Sequence, residues 1–311
     1  MLTASGGAVA QRFRHSAVFY GDLGELVDEV SPFILEGLEA GEPVLVAELP
    51  EKVRALKDAL GADADRVTFR DMAAVGKNPA CIIPVWREFV SRHPDTAVRG
   101  VGEPAWSGRR SVELEECWLH ESLLNVAFDT GPEFRLLCPY DASLLPDDVL
   151  AGAMTTHPDI GSEPRHERYG GHEQAHAEFE RKLPDPTGTV DEIPFGPYDL
   201  AGVRGIVRRL AQGARLSVDA ADDLVLAVHE LASNSVEHGG GEGRLRSWSG
   251  PESLVLEVSD AGVIDDPLVG RELALALSES GRGIWIANQL CDLVQVRSSQ
   301  AGTTIRLHAW T

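Results

Sequence analysis

The chain has 311 residues, of which 43% are hydrophobic and 25% charged, so it is long enough to bury the cores of about two domains. Its formal net charge is -21. A surface this acidic repels phosphate backbones and anionic lipid, which argues against direct binding to nucleic acid or to a membrane surface. The charge leaves open a nucleotide such as ATP, which needs only local cationic or amide groups, and a basic protein partner.

The cysteines and the apolar runs indicate in which cellular compartment the protein works. Cys81, Cys117, Cys138 and Cys291 are scattered, with no CxxC pair and no metal-ligand spacing, and this favours reduced thiols. The N-terminal residues MLTASGGAVAQRFRHSA lack the long apolar segment of a signal peptide, and no run of about 18 apolar residues could cross a bilayer. We therefore expect a cytoplasmic protein that does not enter a membrane.

Residues 16–156 alternate between strand-like and helix-like segments. In chain order the predicted elements are strand SAVFY, helix DLGELVDEVSPFILEGLEAG, strand PVLVAEL, helix EKVRALKDAL, strand VTFRDM, helix ACIIPVWREFVSRH, strand AVRGVGEP, helix SVELEECWLHESLLNVAF and strand FRLLCPYD. Alternation of this kind implies right-handed crossovers, so the first domain, residues 1–157, is predicted to be an α/β domain with a mainly parallel sheet.

Residues 158–195 are rich in proline, glycine and charge, which predicts an interdomain linker with one short helix at about 172–183. This segment contains HEQAH, which matches the zinc-protease pattern HExxH and would place His172 and His176 on zinc with Glu173 as the base. The motif follows two glycines and has no apolar flank, so a short solvated helix is the preferred interpretation.

Residues 196–311 form the second predicted domain. Its predicted elements are helices LAGVRGIVRRLAQGA and VDAADDLVLAVHELASNSVEH, strands RLRSWSG and SLVLEVSDAG, a variable stretch from 263 to 280, helix RGIWIANQLCD and the hairpin LVQVRSS with TTIRLHAW. Asp219 is the predicted N-cap of the second helix. Helices followed by antiparallel strands predict an α+β sandwich.

Three polar residues of the second helix, Glu230, Asn234 and His238, are spaced four apart and share one helix face. The amide oxygen of Asn234 is a good ligand for Mg²⁺, which takes few protein ligands. The carboxylate of Glu230 can orient a water molecule or polarise an attacking hydroxyl. A merely solvated helix face is the alternative. The face predicted to pack on a sheet carries Leu224, Val228, Leu231 and Ser235.

Two later segments favour a nucleotide site. Asp260 ends an apolar strand, where its carboxylate can accept a hydrogen bond from an adenine amino group, and Gly262 allows the backbone to approach the base. Gly281 and Gly283 precede a helix whose N-terminal amides can meet phosphate oxygens. At the start of the last strand, Thr303 and Thr304 supply hydroxyls that can support the aspartate or the base.

The second half resembles the GHKL (Bergerat-fold) ATP-binding family, in its anti-sigma-factor serine-kinase branch. HELASNSVEHG matches the family's N box, SDAG the start of its first glycine box, SGRGIWI its second glycine box and GTTIRL its closing strand, over about residues 190–311. The resemblance implies ATP and Mg²⁺ as cofactors, Asn234 as the Mg²⁺ ligand and Glu230 as the catalytic base. The other nucleotide-binding residues it implies are His238, Asp260, Gly262, Gly281, Arg282, Gly283, Thr303 and Thr304.

The match departs from the family at Ile264, which occupies the second glycine position of the first glycine box. A branched side chain there would crowd the nucleotide or stiffen the lid expected from residues 263 to 280. Two readings follow: a serine kinase that transfers phosphate, or a slow or inactive one that works mainly by binding.

The first half resembles the MEDS sensory domain found in bacterial regulators. The matching segments are HSAVFY, PFILEGLEAGEPVLVA, FRDMAAVGKNPACIIPVW, RGVGEPAW, ECWLHESLLNVAF and LLCPYD, spread over residues 15–157. The resemblance implies a RecA-like fold and the sensing of a small molecule.

Several residues of the first half are ambiguous between a ligand site and the core. His120 and Glu121 either face a sensory pocket or pack in the core, and His15 is equally ambiguous. In the loop GEPAWSGRRS, Arg109 is a candidate for pairing with an acidic ligand and Trp106 for stacking on one.

The combined prediction is a cytoplasmic switch protein whose second domain binds Mg·ATP and either sequesters a sigma factor, phosphorylates an antagonist protein on serine, or does both. The first domain would sense a metabolite or a partner. The alternative is a non-catalytic binding scaffold. Autophosphorylation of His229 is rejected because the chain has no pair of dimerising helices to carry it. A homodimer is implied by the resemblance only.

Overall fold

The computed structural model describes residues 12–161, 163–164, 166–272 and 282–311. Among these, six strands form a parallel sheet in the N-terminal half, namely β1 (Phe13–Tyr20), β2 (Val44–Glu48), β3 (Val67–Asp71), β4 (Val98–Gly102), β5 (Phe134–Asp141) and β6 (Asp159–Ile160). Their spatial order is β3-β2-β4-β5-β1-β6. The helices between them are α1 (Leu23–Glu39), α2 (Pro50–Leu60), α3 (Met72–Val75), α4 (Ile82–Ser91), α5 (Ser111–Ala127) and α6 (Asp147–Thr156).

Helices cover both faces of this sheet, which explains why strand β2 (VLVAE) is buried along its whole length. Along β2, Val44 and Val46 pack with α1 and α2, while Leu45 and Ala47 pack with α4 and α5. The predicted α/β class with a parallel sheet is confirmed. Helix α6 was not predicted, although Pro146 at its N-cap and two acidic residues in its first turn are typical start signals.

The C-terminal half contains an antiparallel sheet of five described strands, in the order β10-β11-β9-β8-β7. They are β7 (Asp191–Phe195), β8 (Gly243–Ser249), β9 (Ser253–Asp260), β10 (Leu293–Ser299) and β11 (Gly302–Trp310). Three helices pack their apolar sides on one face of this sheet: α8 (Leu200–Gly213), α9 (Val218–His238) and α10 (Arg282–Leu290). The predicted sandwich of helices on an antiparallel sheet is confirmed.

Two local predictions were wrong and a third was right only in part, since its helix is present but partly buried. Residues 191–195, assigned to the linker, form strand β7, which pairs with β8 so that Ile193 lies opposite Leu245. The helix expected at about 172–183 is α7 (Gly171–Glu180), and it is not merely solvated, because it buries Phe179 and packs against α5. The N-cap of α9 is Ser217, whose hydroxyl accepts the Ala220 N–H, and Asp219 lies in the first turn instead.

The second face of the C-terminal sheet packs on the N-terminal half through polar side chains. Arg297 of β10 donates to Glu116 of α5 at 2.6 Å, and both of these groups are buried. Leu268 and Arg271 follow β9 in the chain, and Leu268 joins the apolar core beneath α4 and α5. Among the residues that the structure describes, no helix has the length and apolarity needed to cross a membrane.

Candidate functional site

A cleft of about 360 Å³ lies between α9, the end of β9 and the start of α10. It brings together five of the residues predicted from the sequence motifs: Asn234, His238, Asp260, Gly262 and Thr303. Apolar walls are added by Leu231, Ile284 and Ile305. An apolar cavity with a few convergent polar groups is the usual form of a small-molecule site.

Asp260, the last residue of β9, is held by two hydrogen-bond donors. The Ser235 hydroxyl donates to Oδ2 at 2.6 Å, and the Gly262 N–H donates to Oδ1 at 2.8 Å. Each carboxylate oxygen can accept more than one hydrogen bond, so the group retains acceptor capacity toward the cleft. The arrangement fixes a negatively charged acceptor where an exocyclic amino group could be recognised.

Ser235 was missed as a site residue because its position on α9 placed it on the face that packs against the sheet. It is 1% exposed, and its hydroxyl is the one polar group among the buried side chains of that helix face in the described residues. A hydroxyl on an otherwise apolar face is the sequence signal that could have found it, since buried polar groups need partners.

Glycines around Asp260 allow the backbone to come close. A Cβ at Gly239 would lie 2.4 Å from the Asp260 carboxyl carbon, and one at Gly262 would lie 2.9 Å from the His238 carbonyl oxygen. No side chain fits at either distance, so both positions require glycine. Gly239, the last residue of the motif HELASNSVEHG, therefore belongs to the site although only Gly262 was predicted.

A chain of hydrogen bonds holds the loop that follows Asp260. The Ile264 N–H donates to Ser298 Oγ at 2.8 Å, Ser298 Oγ lies 2.9 Å from Thr303 Oγ1, and Thr303 donates to the Gly262 carbonyl at 2.8 Å. Thr303 thus supports the loop. Thr304 does not reach the cleft, because side chains alternate along β11 and it lies on the opposite face of the sheet. Ile264 lines the cleft and packs on the C-terminal core.

The N-terminus of α10 lies directly against Asn234. A Cβ at Gly283 would lie only 2.5 Å from Asn234 Nδ2, so a larger residue would displace the amide. The first amides of a helix have no intrahelical partner and attract anions. An amide oxygen beside them suits a hard cation such as Mg²⁺. Arg282 is exposed at the first position of α10, and Gly281 lies outside the described residues.

Glu230 lies one turn before Asn234 on α9 and is half-buried. It is not among the residues that line the cleft, and among the described residues it has no hydrogen-bond partner. His238 is exposed at the mouth of the cleft. The residues that line the cleft therefore fit an adenine nucleotide with its cation, and the predicted base lies one helical turn away from them.

The remaining residues singled out from the sequence lie outside this cleft. His172, Glu173 and His176 all lie on α7, away from it. Arg109 is buried and donates to the carbonyls of Gly76 and Pro104 while it stacks on Trp106, so it is not free to pair with a ligand. His229 contacts Arg204 on α8.

The N-terminal half has a cavity of its own, of about 560 Å³, bordered by α5, α6 and α7. Its lining includes Trp118, Tyr140, Thr156 and Arg181. His120 and Glu121, which were ambiguous in sequence, are both fully buried next to this region rather than in its wall. Burial lowers the pKa of His120 to about 3, so its ring is neutral at physiological pH.

Comparisons with known proteins identify both halves. Residues 14–158 match the MEDS family, the MEthanogen/methylotroph, DcmR Sensory domain. Residues 193–309 match the histidine kinase-like ATPase domain. No curated protein matches the chain. A crystal structure of the RsbU and RsbW domains of a Mycobacterium tuberculosis protein is similar at 18% identity and a TM-score of 0.31, and the match covers 40% of this chain and 32% of that one. The chain thus spans about a third of that structure's length.

Proposed function

Because the chain joins a MEDS sensory domain to a histidine kinase-like ATPase domain and is therefore a signalling regulator, we propose that it works as a nucleotide-dependent switch. The C-terminal domain binds Mg·ATP in the cleft beside Asp260. In that state it acts on a protein partner as an anti-sigma factor, as a serine-protein kinase, or as both. The N-terminal domain senses a small molecule or a second protein and sets which state is populated.

The observation that carries the proposal is the fixed carboxylate of Asp260. A charged acceptor held by Ser235 and by the Gly262 N–H at the end of a buried strand costs little reorganisation when it binds an amino group. The glycines at 239 and 262 let the backbone pack directly around this carboxylate, because a Cβ at either position would collide with Asp260 or with the backbone beside it. Hydrogen bonds to a charged group contribute about 1.5–3 kcal/mol each, which is enough to favour a base with an exocyclic amino group, such as adenine, over a base without one.

Asn234 and the N-terminus of α10 supply what a triphosphate requires. The amide oxygen of Asn234 would hold Mg²⁺, and the unpaired amides of α10 would meet phosphate oxygens. Arg282, exposed at the first position of that helix, would add a positive charge. When bound, the cation neutralises phosphate charge, and the chain's own groups orient the nucleotide.

The proposal for the partner rests on the N box and on the surface charge. Glu230 is half-buried one turn before Asn234 on α9, and we infer that a serine hydroxyl of a docked protein reaches its carboxylate there. A net charge of -21 favours a basic segment, such as one on a sigma factor, over an acidic one. Kinase and anti-sigma action would use the same face of the domain.

Contacts between the two halves support control by the sensory domain. The segment that follows the Asp260 loop docks on the N-terminal half, where Leu268 enters the apolar core, Arg271 lies 3.5 Å from Glu116, and Glu272 accepts from Arg87 at 2.6 Å. A ligand that shifts α4 or α5 would therefore move the base of the loop that lines the nucleotide cleft. Such coupling requires that the ligand prefer one arrangement.

Calorimetric titration of the full chain with Mg·ATP tests the nucleotide site. We expect binding in the wild type and a loss of about 10- to 150-fold in affinity in Asp260→Asn, since about 1.5–3 kcal/mol is at stake and each 1.4 kcal/mol is tenfold. Asp219→Asn, an exposed change at the start of α9, should bind normally. Absence of binding to the wild type would refute the proposal.

A second candidate, a binding module without kinase activity, is favoured by one observation. Ile264 stands at a glycine position, and its backbone is fixed to Ser298, so the loop has little freedom to close on a nucleotide. Radiolabelled ATP and cell extract separate the candidates. Phosphoserine that is formed by the wild type and by Glu237→Gln, but not by Glu230→Gln, supports the kinase. Tight ATP binding without phosphate transfer supports the module.

A further inference from the structure

Four side chains with metal-binding chemistry meet in the interior of the N-terminal domain, far from the nucleotide cleft. They are His15 of β1, Glu121 of α5, Cys138 of β5 and His157 immediately after α6. None is more than 1% exposed. β1 and β5 are parallel neighbours, α5 covers that face of the sheet, and α6 ends above it, so four separate elements converge on one point.

The spacing of the ligand atoms is close to that of a tetrahedral site. Glu121 Oε2 lies 3.0 Å from His15 Nε2, 3.4 Å from His157 Nε2 and 3.6 Å from Cys138 Sγ, and the His15 to Cys138 distance is 3.3 Å. All four atoms lie within 4.8 Å of one another. Bonds of about 2.0–2.3 Å to zinc place tetrahedral ligands roughly 3.3–3.8 Å apart, so a single ion could contact all four with small adjustments.

Surrounding hydrogen bonds fix which ring nitrogens face the centre. Asn125 donates through Nδ2 to the carbonyl of Thr156 at 2.8 Å, so its Oδ1 is the acceptor that faces His15 Nδ1 at 3.2 Å. His15 Nδ1 therefore carries the proton. His157 Nδ1 donates to the Ala153 carbonyl at 2.8 Å. With Nδ1 of each ring bonded outward, Nε2 of each ring faces the cluster, as in metal-binding histidines held by outer hydrogen bonds.

Without a cation these groups are poorly matched. Two imidazole lone pairs and a thiol surround one buried carboxylate, and His157 Nε2 and Glu121 Oε1 have no hydrogen-bond partner among the described residues. The two imidazole rings are close neighbours, with centroids 4.0 Å apart. Buried polar groups normally find partners, so the arrangement calls for a positive centre between them.

We propose that His15, Glu121, Cys138 and His157 form a closed tetrahedral site for a divalent transition metal, with Zn²⁺ as the best match. A carboxylate and a thiolate cancel the two positive charges of the ion, and two neutral imidazoles complete the shell, so the buried site is neutral. On binding, the Cys138 thiol loses its proton to solvent as the metal–sulfur bond forms. Four protein ligands leave no open position, which is typical of a structural site.

Tyr140 separates the cluster from the neighbouring cavity. Its ring lies edge-on to His157, with centroids 5.6 Å apart, and it also lines the 560 Å³ cavity beside α6 and α7. Tyr140 therefore lies between the cluster and the cavity.

Cobalt titration of the full chain, stripped of metal by chelation, tests the site. We expect one equivalent of Co²⁺ to give tetrahedral ligand-field bands together with a thiolate-to-cobalt charge-transfer band. The charge-transfer band should vanish in Cys138→Ser and persist in Cys117→Ser, which alters another fully buried thiol of the same core. Wild-type protein without a thiolate band, or a band that survives Cys138→Ser, would overturn the site.

Zinc affinity, measured by competition with a chromophoric chelator, provides a second readout. His157→Gln should weaken Zn²⁺ binding at least about tenfold, whereas His120→Gln, also buried but outside the cluster, should not. If the cluster variants fail to fold, the wild type alone decides the question. One equivalent of Zn²⁺ must then raise its unfolding temperature, and an unchanged temperature contradicts the proposal.

Discussion

Replacing Glu116 with glutamine tests whether the two domains are joined as the structure has them. Glu116 is 1% exposed on α5, and its carboxylate accepts from Arg297 at 2.6 Å and from Gln295 at 3.2 Å, with Arg271 at 3.5 Å. Both arginines are also buried. Glu116→Gln keeps the shape of the side chain but removes the charge that balances them.

The size of the effect follows from that burial. After Glu116→Gln the nearest remaining carboxylate of Arg297 is Glu178, 3.6 Å away, and the new amide presents donors to groups that are themselves donors. Breaking a buried ion pair by removing one partner costs about 3–5 kcal/mol. At roughly 2–4 °C per kcal/mol for domains of this size, the unfolding temperature should fall by at least about 6 °C.

Differential scanning calorimetry of the full chain measures this change. Glu115→Gln, the exposed neighbour on the same helix, is the matched control and should stay within about 0.5 kcal/mol of the wild type. If Glu116→Gln unfolds at the temperature of the control, Glu116 is not buried against the arginines. The docking of the C-terminal sheet on α5 would then be wrong.

The other predictions concern a buried carboxyl and the nucleotide cleft. Burial, reinforced by the charge of Glu103, raises the pKa of Glu48 well above its ordinary value. Between the unfolded pKa of about 4.3 and this raised value, the folded protein holds a proton that the unfolded protein releases. The free energy of unfolding therefore falls as the pH rises through that range. Glu48→Gln should therefore raise the melting temperature more at pH 8 than at pH 5, while the exposed change Glu51→Gln has no such trend; a gain that is equal at both pH values would contradict the assignment. Gly283→Ala should weaken Mg·ATP binding at least about tenfold, because its methyl would lie 2.5 Å from the predicted Mg²⁺ ligand and a shift of about 1 Å is costly at such sites. Gly213→Ala, where nothing lies within 4 Å of the new carbon, should bind as the wild type does, and equal affinities for all three proteins would remove Asn234 from the site.

Most of the fold could be predicted because the two halves have strong periodic patterns. Helix α9 has the predicted bounds, since a helical apolar stripe and a glycine end leave little choice. Strand β7 was missed because it is a short edge strand that contains Pro194 inside a proline-rich stretch, and only its pairing with β8 makes it a strand. Tertiary partners of this kind are not visible in a local pattern.

In the candidate site, too, some residues could be predicted from local motifs and others depend on tertiary packing. Asn234, Asp260 and Gly283 come from one motif each, and the sandwich brings the three motifs to one cleft edge. Thr303 and Thr304 were both predicted from the motif, but side chains alternate along a strand, so only Thr303 faces the cleft and Thr304 lies on the far face. The cluster around His15 and Cys138 could not be predicted from residue spacing, because these residues are far apart in the chain and meet only through the pairing of β1 with β5.

Helix α5 connects the buried His–Cys cluster of the first domain with the ion pairs that join the two domains, although no sequence motif links them. Its C-terminal half holds Glu121 and Asn125 at the buried His–Cys cluster, and its N-terminal half holds Glu116 against Arg271 and Arg297 of the ATPase domain. A packed helix moves as a unit, so a change in the cluster or in the cavity beside it changes the surface on which the loop after Asp260 rests. Linkage then requires reciprocity: a ligand that alters the nucleotide affinity through α5 must have its own affinity altered by the nucleotide, by the same factor.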